Sequence, residues 1–226
     1  MSRLKDENLE EDLLIEYSSR TVHYYKENKA TVISGLIGIL LIIGLGIGYF
    51  LYMQQQETEA QNLLGTAEQA LMSGNYEVAL NGNEEELTLG FSQIANNYRR
   101  TNAGNLALYY AAVVEYELEN YESALSYIEQ FSVPEGIVGV GTLSLHAVIL
   151  SELGEHEAAA EKFMEAANWD ENESTTPYHL MEAALSYRDA GQVEQARQNV
   201  ETILRDYPNS TRIADAERLR GALAAQ

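Results

Sequence analysis

Histidines, carboxylates and glycine-rich runs are the residues of this chain that could do chemistry. Its four histidines are His23, His146, His156 and His179. A zinc hydrolase needs paired ligands at fixed spacing, as in H-E-x-x-H, and nothing of that kind links them. His146 falls on the inner face of an expected helix and reads as a core histidine. Glu84, Glu85 and Glu86 form an acidic run without the alternation of a calcium loop, and read as a solvated loop. The glycine-rich run at 136–141 leads from a helix and carries no Lys-Ser/Thr to hold phosphate, so it reads as an inter-repeat turn. There is no G-x-S-x-G and no cysteine, hence no thiol nucleophile, thiolate site or disulfide. Asn172 and Asn209 head Asn-x-Ser/Thr sequons of a kind that arises by chance. No catalytic, metal-binding or cofactor-binding residue is assigned, no cofactor is expected, and the chain does not read as an enzyme.

A second glycine pattern, at Gly44, Gly46 and Gly48, sits inside an apolar run and follows no strand, so it is not a nucleotide loop. That run, TVISGLIGILLIIGLGIGYFLYM (31–53), lies in a stretch without charge between Lys29 and Glu57. About 22 helical residues cover roughly 33 Å, the hydrocarbon thickness of a bilayer. Tyr49, Phe50 and Tyr52 cluster at one end, Lys26 and Lys29 at the other, as interfacial residues do. The leader is too long and mixed in charge, and the apolar run too long, for a cleaved signal peptide. Residues 30–53 therefore read as a permanent transmembrane helix, so that one partner is the lipid bilayer itself. Gly44 and Gly48 form a G-x-x-x-G through which two such helices could pack into a homo-oligomer.

Arg20, Lys26 and Lys29 precede the span, whereas no Lys or Arg follows until Arg99. The positive-inside rule then places residues 1–29 in the cytoplasm and the rest across the membrane. The tail has five Lys/Arg and seven Asp/Glu of the chain's 14 and 35, leaving nine and 28 beyond the span, a net charge of −19. Such a surface repels nucleic acid and anionic lipid and favours a cationic partner; it would equally serve solubility or a salty habitat. In the tail, Leu4, Leu13, Leu14, Tyr17, Val22 and Tyr25 fall loosely on one helical stripe. That leaves a surface helix, a helix docked on a neighbouring membrane protein and a partly disordered tail all open.

Beyond the span the pattern is helical, and three stretches align on one frame: 106–131, 143–167 and 180–204. Small residues lie midway along each first helix (Ala111 and Ala112; Ala147; Ala183 and Ala184). A turn follows at Glu119–Asn120, Gly154–Glu155 and Gly191–Gln192. Beyond it come Ala124, Ala159 and Ala196, then Ile128, Phe163 and Val200. Successive turn alanines are 35 and 37 residues apart. The frame resembles the tetratricopeptide repeat, in which alanines let crossing helices approach closely. It departs from that pattern at Glu115, at Glu119 in place of the turn glycine, and at Val193. A weaker copy at 63–80 turns at Gly74 and is interrupted by the polar stretch 81–86. Pro208 should stop the last repeat, with Asn209 or Ser210 capping a final helix 211–224; Thr176–Pro177 reads as N-cap and first helical residue.

The expected fold is thus all-α: a cytoplasmic tail (1–29), a transmembrane helix (30–53), membrane-proximal helices with a degenerate first repeat (54–103), and about three tetratricopeptide repeats with a C-terminal capping helix (104–226). In a stack of this kind the first helices line a concave groove. Tyr109, Val113, Tyr116, Ser144, Val148, Ser151, Tyr178, Met181 and Arg188 are the expected protein-binding residues, and tyrosine suits a wet contact surface.

Three phrases narrow the resemblance: TVHYYKENKATVISG leading into the span, FSQIANNYRRTNAGNLALYY (91–110) and YYAAVVEYELENYESAL (109–125). With the order of parts, these look like the YfgM-like family of bacterial inner-membrane proteins, and 91–110 is similar to its Bacteroidetes-type members. The resemblance implies a single-pass inner-membrane protein with its repeat domain in the periplasm. It further implies an ancillary subunit of the SecYEG translocon that binds periplasmic chaperones or exported chains, and so takes part in protein translocation. The tail is longer and more acidic than anchoring requires. The alternatives are a scaffold for envelope assembly or cell division using the same repeats, and a receptor-like sensor signalling through the tail.

Overall fold

The computed structural model describes residues 23–83, 85 and 87–225. The expectations for the tail therefore lie largely outside the described residues. The chain divides into two compact units, Met1–Gln55 and Gln56–Gln226.

In the first unit a short helical stretch at 23–27 bends at Asn28 and leads into α1, Lys29–Met72. The apolar side chains of its first half are exposed on every side, Ile42 at 72% and Leu45 at 74% among them. An apolar window of mean hydropathy 2.5 with none of it buried is long enough to cross a membrane, and α1 is a candidate span by length and composition. The helix does not stop at Met53. Gln54, Gln55, Gln56 and the residues after them are good helix formers, and no proline interrupts the run before Met72.

The second unit is a stack of helix pairs. The end of α1 pairs with α2 (Tyr76–Asn81), α4 (Asn102–Glu117) with α5 (Tyr121–Ile128), α6 (Ile137–Glu152) with α7 (His156–Trp169), and α8 (Thr176–Asp189) with α9 (Val193–Asp206). Helix α3 (Phe91–Asn97) lies between the first two pairs and α10 (Ile213–Leu223) follows the last.

One local device makes all four turns. Its central residue is in the left-handed region at Gly74 (φ 73°), Glu119 (61°), Gly154 (77°) and Gly191 (76°). At each, the N–H of that residue bonds back three positions and the next N–H bonds back five. Gly154 donates to Ser151 O at 3.0 Å and Glu155 to Leu150 O at 2.9 Å; Gly191 and Gln192 repeat this on Arg188 and Tyr187. This is the Schellman closure, which satisfies the orphan carbonyls at a helix end. A glutamate then occupies the first turn of every second helix, Glu77, Glu122, Glu157 and Glu194, where the helix dipole favours negative charge.

Packing follows the same period. Seven residues before each turn stand Ala67, Ala112, Ala147 and Ala184; five after it stand Ala79, Ala124, Ala159 and Ala196; all are buried. Ile128, Phe163 and Val200 fill the next layer. The first pair breaks the pattern because Asn83 stands where those large residues should be. There α2 ends, Gly82 turns at φ 78°, and residues 83 and 88 form an isolated antiparallel bridge. The backbones of Gly82 and Gly90 pass so closely that a Cβ on Gly82 would sit 2.8 Å from Gly90 N. Beyond this excursion α3 resumes the packing, with Phe91 and Ile94 fully buried and Phe91 stacked on Tyr110 at 5.0 Å.

Three boundaries differ from expectation. The run 136–141 turns only at Gly136 (φ 75°) and is already helical from Ile137, because its remaining residues can all adopt helical φ. Helix α8 starts at Thr176 rather than Pro177, after Asn172 Oδ1 accepts the N–H groups of Ser174 and Thr175, both at 2.9 Å. Ser210 Oγ accepts the N–H of Arg212, and α10 begins only at Ile213.

Candidate interaction face

The first helices α4, α6 and α8 carry the nine residues expected to meet a partner. Eight of them are partly buried; Met181, only 5% exposed, belongs to the core formed with Val200 and Leu219. That core joins α8 to α9 and the final helix, so Met181 is drawn into the packing between them. Val148 likewise leans on the core of Ala147, Phe163 and Ala183. Arg188 is held by Asp189 at 2.7 Å. The guanidinium of Arg212, the residue just before the final helix, lies 4.7 Å over the Tyr178 ring.

Between α4 and α6 the face opens into an apolar pocket of about 480 Å³. Tyr109 lines it, tilted against Tyr110 at 5.7 Å and Phe131 at 5.8 Å, which line it too. Leu106 and Val138 form the walls, 37% and 65% exposed. Asn105 closes the far side, its side chain both donating to Ser132 O (2.9 Å) and accepting from Ser132 N (2.8 Å). The indole N–H of Trp169 ties down the adjoining loop at Pro134 O, 3.0 Å away. Of the nine residues expected to meet a partner, Tyr109 is the one that lines this pocket. Phe131 lies three residues beyond the end of α5, and only the adjacent apolar pair Ile137–Val138 marks the wall in the sequence.

A second pocket, of about 370 Å³, lies between α8 and α10 and is lined by Arg188, Arg212 and Arg218 with Glu182 and Asp215. Asp215 pairs with both Arg212 and Arg218, so its charges are largely matched within the chain.

Burial pushes the Tyr109 phenol up. Burial, aided by Lys162 and opposed by Glu165, holds His146 down at about 4. His179 is lowered by burial, and its Nδ1 has no hydrogen-bond partner. Among the described residues no group of three or more His, Cys, Asp or Glu gathers to hold a metal ion. Gly44 and Gly48 have open space where a Cβ would point.

The tetratricopeptide repeat family matches residues 180–210, which take in most of α8, all of α9 and Pro208. No curated protein matches the chain. The molecule is an all-α protein in which an N-terminal candidate span is followed by a helix–turn–helix solenoid, and its last pair is similar to tetratricopeptide repeats.

Proposed function

We propose that this chain is a membrane-anchored protein–protein interaction adaptor. The supporting observation is the stack of four identically closed helix pairs, one matching a repeat that serves as a protein-interaction module, with aromatic side chains on the face of the first helices. Tyr109, Val113, Tyr116, Ser144, Val148, Ser151, Tyr178 and Arg188 meet the partner on this reading, with Met181 supporting them from beneath. The finer reading is an ancillary factor of the SecYEG translocon. It is single-pass in the bacterial inner membrane with the tail cytoplasmic and the solenoid periplasmic, binding chaperones or exported chains. The resemblance of the membrane-proximal sequence to YfgM-like proteins supports this, as does the distribution of Lys and Arg about the span. Anchoring would concentrate the face beside its partner, so weak contacts suffice. Pairing through Gly44 and Gly48 would add a second copy of the helix.

In-cell crosslinking of the full chain, mild detergent extraction and mass spectrometry test both levels. Enrichment of SecY with periplasmic chaperones, lost when residues 57–226 are exchanged, is the expected result. Division or envelope-assembly proteins without translocon subunits would overturn the translocon assignment and leave the adaptor. A tail whose truncation abolishes a transcriptional output would indicate a sensor instead.

A further inference from the structure

Two glycines near the start of α6 behave oppositely. A Cβ on Gly139 would collide with Pro134 O and the Trp169 indole, so the fold requires that glycine. A Cβ on Gly141 would meet nothing within 4 Å, and its φ is not positive. Glycine inside a helix is less favourable than alanine, and at Gly141 no close approach within the chain requires it. Gly65 and Gly221 are equally free, but Gly141 lines the apolar pocket with Leu106, Tyr109, Tyr110, Phe131 and Val138. A missing side chain on the rim of an exposed apolar pocket lets another backbone pass close to it.

Charge identifies what passes. Residues 54–226 carry 28 carboxylates against nine Lys and Arg. The turn ends of the same two helices present Glu117 and Glu152, both exposed. After burial itself, these two carboxylates are what raise the Tyr116 phenol between them. From Tyr109 to Glu117 is eight residues of α4, about 12 Å along the helix, which roughly four residues of extended chain would cover.

We propose that the pocket between α4 and α6 seats one large apolar side chain of an extended, cationic protein segment. The segment's backbone crosses over Gly141, and a lysine or arginine about four residues away faces Glu117 and Glu152. This rests on the adaptor reading and gives its partner a chemistry.

The test uses the full chain in phosphatidylcholine nanodiscs and a fluorescein-labelled Gly/Ser peptide bearing one phenylalanine and, about four residues on, two lysines. Anisotropy reports binding. The fluorescence of Trp169, the only tryptophan, reports the pocket loop independently. Affinity should fall at least tenfold when the phenylalanine becomes serine or the lysines become glutamates, and should weaken with salt. Gly141→Leu should weaken binding at least tenfold without lowering the melting temperature, while Gly221→Leu leaves it unchanged. Should Gly141→Leu fail to fold, Val138→Asp on the exposed wall carries the same prediction. Equal binding of the lysine and glutamate peptides, or full affinity in Gly141→Leu and Val138→Asp, would overturn the proposal. Specific crosslinked partners persisting in Gly141→Leu without peptide binding would sink the pocket alone, whereas the absence of any specific partner would sink the adaptor reading beneath it.

Discussion

Glu57 closes the start of α4 from 45 residues away: its Oε2 accepts the N–H of Asn102 at 2.6 Å and its Oε1 that of Ala103 at 3.2 Å. Gln61, one turn along α1, donates to the same carboxylate at 2.9 Å and holds it in place. Thr101 Oγ1 accepts the next N–H, of Gly104, at 2.9 Å, so the exposed donors of the helix end are met by two side chains from distant parts of the sequence.

Glu57→Ala should therefore destabilise the second unit by about 1 kcal/mol, the usual loss of a cap, with some addition because the acceptor is charged. Amide hydrogen exchange should quicken first at Asn102 and Ala103. Unchanged protection there would show that the carboxylate contributes nothing to the helix start.

Glu119 does a glycine's work at the second turn. At φ 61° its Cβ crowds the backbone, a conformation costing a non-glycine residue about 1–2 kcal/mol, part of which glycine gives back through its looser unfolded chain. Glu119→Gly should raise stability by about 0.5–1 kcal/mol in urea unfolding of the full chain, whereas Glu119→Ala, which keeps a Cβ, should not. The reciprocal Gly154→Ala should lose about 1 kcal/mol.

These two sites mark what the sequence could convey. The period of alanines and turns is local, so the repeat frame, the four turns and the non-glycine at Glu119 were all readable from residue order. The Glu57 cap joins positions whose spacing carries no pattern, and the lining of the apolar pocket is assembled from α4, the loop after α5 and the start of α6. The same limit applies to Met181. Its helical position points to the groove face, but it is buried in a core that α8 shares with α9 and α10, which no period announces. The run at 136–141 misled for a different reason: glycine marks turns, yet only Gly136 among its three glycines has positive φ.

Acid should weaken the solenoid through its histidines. His146 is held down at about 4 and His179 is also lowered, both first by burial, so the native state resists the proton that the unfolded chain accepts near 6.5. The contribution of His146 is fully present above about 6.5 and is lost as pH falls toward 4, and that of His179 is lost in the same direction. Lys162 adds to the effect at His146 and Glu165 opposes it. Melting temperatures across that window should decline in the full chain and decline less in His146→Gln, whose side chain stays neutral throughout. Parallel profiles for the two proteins would show that His146 titrates normally.

Alkali should act at the other end of the stack. The Tyr207 hydroxyl donates to Glu171 Oε1 at 2.8 Å, tying the end of α9 to the loop between α7 and α8. Burial first, then the bond and charge of Glu171, push this phenol up to about 12 from its usual 10. The folded state holds a proton that the unfolded chain gives up near 10. The bond's contribution is therefore complete below that pH and is lost as pH rises toward 12. Tyr207→Phe keeps the buried ring and removes only the donor. It should be less stable at neutral pH by about 1.5–3 kcal/mol, the range for a hydrogen bond to a charged acceptor, and should lose less stability than the parent between pH 10 and 12. Unfolding monitored through Trp169, which closes α7 just two residues before Glu171, measures both limbs in one series. A variant as stable as the parent at pH 7, with the same alkaline decline, would show that the Tyr207–Glu171 bond does not hold the last pair to its neighbour.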